Sequence, residues 1–298
     1  MTANDSAPAP TGRPDVTPYF DVGTNTWTYL VADPETGAAA IIDAVLAYDA
    51  KAATVSHTGL DHLLDVVQQR GLSLKWVLET HAHADHLAGG HWLRDRSSAP
   101  LVIGSQITKV QQVFAPRFGM DDLATDGRQF DVLVDDGAVL PLGNLAIRVL
   151  HTPGHTPACV TYVIGDAAFV GDSLFMPDYG TARCDFPGGD AATLYASITR
   201  ILALPETTRL FVGHDYLPVS GRSEFACETT VAAQKAGNIH VHDGITADQF
   251  IAMRRARDQT LAPPALILPS LQVNIAAGEL PPPDAQGRRF LRLPLTIL

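Results

Sequence analysis

The chain has 298 residues, of which 46% are hydrophobic and 18% charged, with a formal net charge of -11. That length and apolar content suffice for a sizeable buried core, arranged as one large domain with an extension or as two domains. A surface this acidic repels phosphate backbones and argues against nucleic acid as a partner, and no stretch approaches the ~20 apolar residues that a membrane span needs.

Residues 1–18, rich in Pro, Ala and Thr, read as a mobile arm. They hold no apolar core and so do not read as a signal peptide. From residue 19 to 236 short apolar runs alternate with turn residues. Thr26–Ala32 and Ala38–Asp43 read as a hairpin turned at Asp33, Pro34 and Gly37. His57–Arg70 carries apolar residues at helical spacing (Leu60, Leu63, Leu64, Val67) and stops at Gly71. Lys75–Glu79 reads as a strand, and His86–Arg96 as a helix. Pro100–Gly104 reads as a strand, Gln106–Phe114 as a short helix, and Pro116–Gly127 as irregular. Strands are expected at Val132–Val134, Ala146–His151, Cys159–Ile164, Ala167–Gly171 and Arg209–Val212, with an amphipathic helix over Ala191–Leu204. Strands and helices interleave without strict alternation, which fits two mixed sheets with helices outside them. Residues 237–298 differ, with one helical stretch, Thr246–Asp258, and then Pro-rich text with short apolar runs. They read as an extension packed on the core, placed where a second copy could dimerise with it.

Cys159, Cys184 and Cys227 are far apart, odd in number and form no CxxC pair. This fits a reducing compartment and a cytoplasmic protein.

The strongest chemical signal is HAHADH, His81–His86, directly after an apolar strand. His81 and His83, two apart, project to one side of extended backbone. Four metal-ligand candidates in six residues are too many for packing, and imidazole with carboxylate suits zinc or iron. The bland alternative is a polar strand-to-helix turn capped by Asp85. Three later positions add to the signal: His155 in TPGHT, Asp172 in FVGDS and His214 in FVGHDY, each at or after a strand end, where rigid scaffolds place functional groups. Taken singly, each reads as a structural residue. Taken together, in this order, they form a constellation.

The pattern HxHxDH, a TPGHT histidine, a GD aspartate and a GH histidine resembles the metallo-β-lactamase superfamily across Tyr19–Tyr216. The resemblance implies an α/β (α+β) fold, a four-layer αββα sandwich of two mixed sheets with the metal site at one edge. In hydrolases of that family the first metal takes the equivalents of His81, His83 and His155, the second takes Asp85, His86 and His214, and Asp172 bridges them. All seven positions are filled.

GDSLFMPDYGTARCDFPGGDAATLYASI (Gly171–Ile198), the HDY at His214 and LILPSLQVN (Leu266–Asn274) are similar to the persulfide dioxygenase branch, which is glyoxalase II-like in fold. That resemblance implies one Fe(2+) per chain on His81, His155 and Asp172, a facial triad with open positions. His83, Asp85, His86 and His214 would then orient ligands and waters around it. The implied substrates are glutathione persulfide and O2, since oxidising a persulfide needs a redox metal and zinc has no redox chemistry. The resemblance gives Arg183 and Asp185 to glutathione, with Arg183 suited to a carboxylate; Phe186, next to them in TARCDF, is a further substrate-contact candidate, and Tyr216, two residues after His214, reads as a hydrogen-bonding partner of a metal-bound oxygen or sulfur. A mutual loop ion pair is the plain alternative for Arg183 and Asp185. Cys184 lies between them and reads as a small buried side chain. His57, His62, His91, His240 and His242 read as structural. The competing function is a glyoxalase II-type thioester hydrolase of S-lactoylglutathione with two Zn(2+), in which a bridging hydroxide attacks the carbonyl. A metal-binding module without catalysis is disfavoured because no ligand position is lost.

Overall fold

The structure is a computed structural model that describes residues 12–218 and 220–295. One six-stranded sheet has the spatial order β1 (Asp15–Asp21), β2 (Thr26–Ala32), β3 (Ala38–Ile42), β6 (Ser73–Leu78), β8 (Leu101–Gly104) and β9 (Val132–Val134). A second has the order β10 (Val139–Leu142), β11 (Leu145–His151), β12 (Val160–Ile164), β13 (Ala167–Phe169), β14 (Arg209–Phe211) and β15 (Glu228–Thr230). Both mix parallel and antiparallel pairs. A small sheet joins β4 (Val45–Asp49) to β5 (Thr54–Ser56) and β7 (Leu87–Ala88). The helices are α1 (Thr58–Gln69), α2 (Gly90–Ser97), α3 (Ile107–Arg117), α4 (Ala191–Leu202), α5 (Val231–Gly237), α6 (Ala247–Asp258) and α7 (Ile267–Asn274).

The side-chain period of two explains the layering. Every residue of β2 is buried. Trp27, Tyr29 and Val31 enter the core shared by the two large sheets, which continues beneath α4, α5 and α6. Leu30 and Ala32, on the opposite face, enter a second core beneath α1, α2, α3 and α7. A strand covered on both faces has no solvent side, hence the unbroken apolar text of β3 and the absence of any charged residue in β2. Each large side chain so buried contributes roughly 1.5–3 kcal/mol.

This is the expected four-layer sandwich of two mixed sheets, with local corrections. β1 begins at Asp15, so residues 15–18 are not a mobile arm. Pro18 is tolerated because β1 is an edge strand; residues 1–11 of the expected arm lie outside the described residues. The helix expected from His86 starts at Gly90, because Leu87 and Ala88 pair with Leu46 and Val45 instead. The extension contains α7, whose Leu271 and Val273 are buried in the second core, as are Ile275 and Ala277 beyond it. Among the described residues no helix is long and apolar enough to cross a membrane.

The chain order puts the C-terminal ends of β6, β11, β13 and β14 at one edge. There, main-chain bonds join the two large sheets: Val160 N–H donates to Thr80 O at 2.9 Å, and Trp27 N–H to Gly213 O at 2.9 Å.

Candidate metal centre

His81 follows β6, His155 sits in the β11–β12 turn, Asp172 follows β13 and His214 follows β14. The glycines of the GD and GH motifs are there because of space. A Cβ on Gly171, whose φ is +50°, would lie 2.6 Å from Thr80 Oγ1, and one on Gly213 would lie 2.7 Å from Asp172 Oδ1.

Ligand atoms of His81, His155 and Asp172 lie within 4.8 Å of one another, and all three residues are buried. Asp172 Oδ2 is 3.8 Å from His81 Nε2 and 3.7 Å from His155 Nε2. Those gaps are just under twice the ~2.0–2.1 Å of a metal–imidazole bond. The far nitrogen of each ring is held. His155 Nδ1 lies 2.7 Å from Arg183 O, so it carries the proton and donates it, leaving Nε2 its lone pair. Thr80 donates its hydroxyl to Asp43 Oδ2 at 2.8 Å and so accepts from His81 Nδ1 at 3.0 Å. Burial, helped by the neighbouring His83 and His155 rings, pushes the His81 pKa well down, so the ring is neutral.

The remaining positions form an adjoining group. His214 Nε2 is 3.4 Å from Asp172 Oδ1 and 3.3 Å from Asp85 Oδ2, which is also 3.3 Å from His86 Nδ1. His83 turns Nε2 toward Asp43 Oδ1 and Glu79 Oε2, each at 3.2 Å. The buried atoms His81 Nε2, His83 Nδ1, His86 Nε2, His214 Nε2 and Asp172 Oδ1 have no hydrogen-bond partner. Leaving several such atoms bare in one place costs about 1–3 kcal/mol each, and a bound cation removes that cost. The donor set therefore fits a metal.

A cavity of about 410 Å³ opens onto Asp85, His155 and Asp172. Tyr216 lies on its wall, exposed, stacked on His214 at 5.5 Å and tilted against Tyr179 at 5.0 Å. The protein packed around its ring, with the Asp172 and Asp85 carboxylates, pushes its phenol pKa up despite the ring's partly open edge, so the hydroxyl stays protonated.

The other expected substrate contacts differ in their placement. Arg183 reaches the cavity, but Nε and Nη2 donate to Asp185 at 2.6 Å each and Nη1 to Ala262 O at 2.7 Å. Its guanidinium is held by its own loop and by the extension. Asp185 lines a separate cleft with Cys184 and Asp258. Phe186 is buried, with its ring 5.1 Å from Phe114 and 6.3 Å from His155. An aromatic ring gains more by filling the core there than by facing a polar cavity.

Cys184 is buried and donates Sγ to Asp258 Oδ2 at 3.2 Å. Burial and that carboxylate push its thiol up to about 12. His57 stacks on Trp92 at 3.6 Å, and His240 Nδ1 accepts from Thr181 N–H at 3.0 Å.

One wall residue escaped the sequence reading. Arg257 lines the cavity, is exposed, and forms no ion pair or side-chain hydrogen bond among the described residues. Arg254, one helical turn earlier on the same wall, is fully buried and paired with Asp258 at 2.6 Å. The text RRARD held the signal, since arginines three apart on a helix share a face.

A profile of the Metallo-beta-lactamase superfamily matches residues 21–214. A probable metallo-hydrolase of Burkholderia pseudomallei is 49% identical over 288 residues, covering 93% of this chain and 97% of that protein. Glyoxylase B2 of Dictyostelium discoideum is 46% identical over 272 residues, or 90% and 92% of the two chains. The mitochondrial persulfide dioxygenase ETHE1 of Homo sapiens is 33% identical over 200 residues, 66% of each. Among solved structures, ETHE1 from Myxococcus xanthus superposes with a TM-score of 0.70 at 32% identity, covering 89% of this chain and all of that one. With its fold, its ligand cluster and these likenesses in agreement, the chain belongs to the metallo-beta-lactamase superfamily.

Proposed function

We propose that the chain is a glutathione persulfide dioxygenase holding one Fe(II) on His81, His155 and Asp172. The observation that carries this reading is the pairing of an open two-histidine, one-carboxylate triad with a cavity whose wall presents an unpaired arginine, Arg257. The likeness to ETHE1 in sequence and in structure supports it. Fe(II), when bound, supplies the one-electron chemistry that lets O2 react with a persulfide. Overall, the persulfide, O2 and water yield glutathione, sulfite and two protons.

The chain's own residues bind, orient and shield. Arg257 takes a glutathione carboxylate as a charge-assisted pair, which aims the persulfide end at the triad. Arg183, locked to Asp185, fixes the Ala262 wall and, through its main-chain oxygen, the His155 ring. Tyr216 offers a neutral hydroxyl at the wall to the substrate sulfur. Holding both substrates in one cavity makes their encounter effectively unimolecular.

A second reading has its own observation. His83 Nδ1, His86 Nε2 and His214 Nε2 are also bare and buried, donors that suit a two-metal site and a thioester hydrolase. The 46–49% likeness to proteins named as a glyoxylase and a metallo-hydrolase points the same way. Product analysis separates the two. Sulfite from glutathione persulfide supports the dioxygenase. Lactate from S-lactoylglutathione, with no sulfite, replaces it with the hydrolase.

A further inference from the structure

The loop from β6 to β7 carries His81, His83, Asp85 and His86, yet its backbone is almost unsupported from within the superfamily-matched part of the chain. From His81 to His86 no main-chain group bonds to another main-chain group among the described residues. The support comes from Asn274, the last residue of α7, far beyond the matched span of 21–214. Its Nδ2 donates to His83 O at 2.7 Å and to His86 O at 2.8 Å, and its Oδ1 accepts from Ala88 N–H at 2.8 Å. All of these groups are buried. Four residues past α7, the extension runs hard against the same loop's exit. At Gly278, whose φ is +84°, a Cβ would lie 2.7 Å from Ala88 O.

We infer that the extension is a structural part of the metal centre, and that Asn274 is the positioning residue that holds the ligand-bearing loop in its binding shape. Only a carboxamide of this length suits the place. The site needs two donors aimed at two carbonyls and one acceptor aimed at an amide. A carboxylate keeps the acceptor but sets negative oxygens against the His83 and His86 carbonyls. Glutamine is one methylene too long. Without the clamp, two buried carbonyls and one buried amide lose their partners. The loop then relaxes away from the geometry that lets its side chains meet Asp172 and His155. The inference rests on the metal site alone and not on the reaction proposed above.

The test is a competition titration of metal-free protein with Zn(II), without substrate, comparing Asn274→Ala with Gln272→Ala. Gln272 is the control: buried on the same helix, it donates to Leu268 O and Arg292 O and touches no atom of the loop backbone by hydrogen bond. Asn274→Ala is expected to weaken Zn(II) binding about 10–100-fold, the usual cost of removing a group that orients metal ligands, while Gln272→Ala leaves it unchanged. Equal binding by Asn274→Ala and the native chain, or equal weakening by both variants, overturns the inference. If Asn274→Ala does not fold, hydrogen exchange of the Ala88 amide in the metal-free native protein decides. Strong protection is expected, and exchange as fast as in exposed turns overturns the clamp.

Discussion

The Nδ1 of His155 lies 2.7 Å from the main-chain oxygen of Arg183, and this contact ties one metal-ligand candidate to the wall of the cavity beside it. It fixes the ring's tautomer and plane. It also means that whatever holds the Arg183 loop holds the ligand. Asp185 and the Ala262 carbonyl do so from one side, and Phe186 packs beside the same imidazole from another.

Phe186→Ala follows from that packing. Truncating a buried aromatic costs about 3–5 kcal/mol, so a large drop in urea midpoint is expected. KM for glutathione persulfide should stay near the native value. A raised KM with native stability would restore Phe186 as a substrate contact.

Arg257→Ala removes the unpaired cation on the cavity wall. A hydrogen bond to a charged group contributes about 1.5–3 kcal/mol, so KM should rise roughly 10–100-fold with kcat little changed. Steady-state kinetics on glutathione persulfide checks it. An unchanged KM would take Arg257 out of the binding site.

Asp172→Ala deletes the carboxylate that faces both His81 and His155. Metal content after dialysis should fall to background, and activity with it. Retained stoichiometric metal would contradict the proposed ligand set.

His240 gives a pH prediction. Burial, with Arg254 and Arg257 adding to it, pushes its pKa down to about 4, against ~6.5 in the unfolded chain. The unfolded state therefore binds the proton first. Its contribution to stability is intact above ~6.5 and falls as the pH drops from there toward about 4. His240→Gln, which keeps an acceptor for the Thr181 N–H, should show a shallower loss of urea midpoint between neutral and mildly acidic pH. The same slope in both proteins would remove His240 as a cause.

Much of the molecule was legible from local text. Hairpin β2–β3, helix α1 and the strands leading to Asp172 and His214 follow from period and turn residues, because in each the buried face or faces are continuous. What escaped was set by partners distant in sequence. Leu87 and Ala88 read as helix until Val45 and Leu46 are there to pair with them. α7 was hidden by its Pro269 and by burial that erases the polar face of an amphipathic pattern. At the site, the ligand candidates announced themselves by density. The role of Arg183 depended on Asp185 and Ala262, the role of Arg257 on having no such partner, and neither condition is written in a motif.

The most direct test is the iron content of anaerobically purified protein, followed by its O2 uptake on addition of glutathione persulfide. About one iron per chain, with O2 consumed and sulfite released, is the predicted result. Two zinc ions per chain with no O2 uptake would contradict the account and make His83, Asp85, His86 and His214 direct metal ligands.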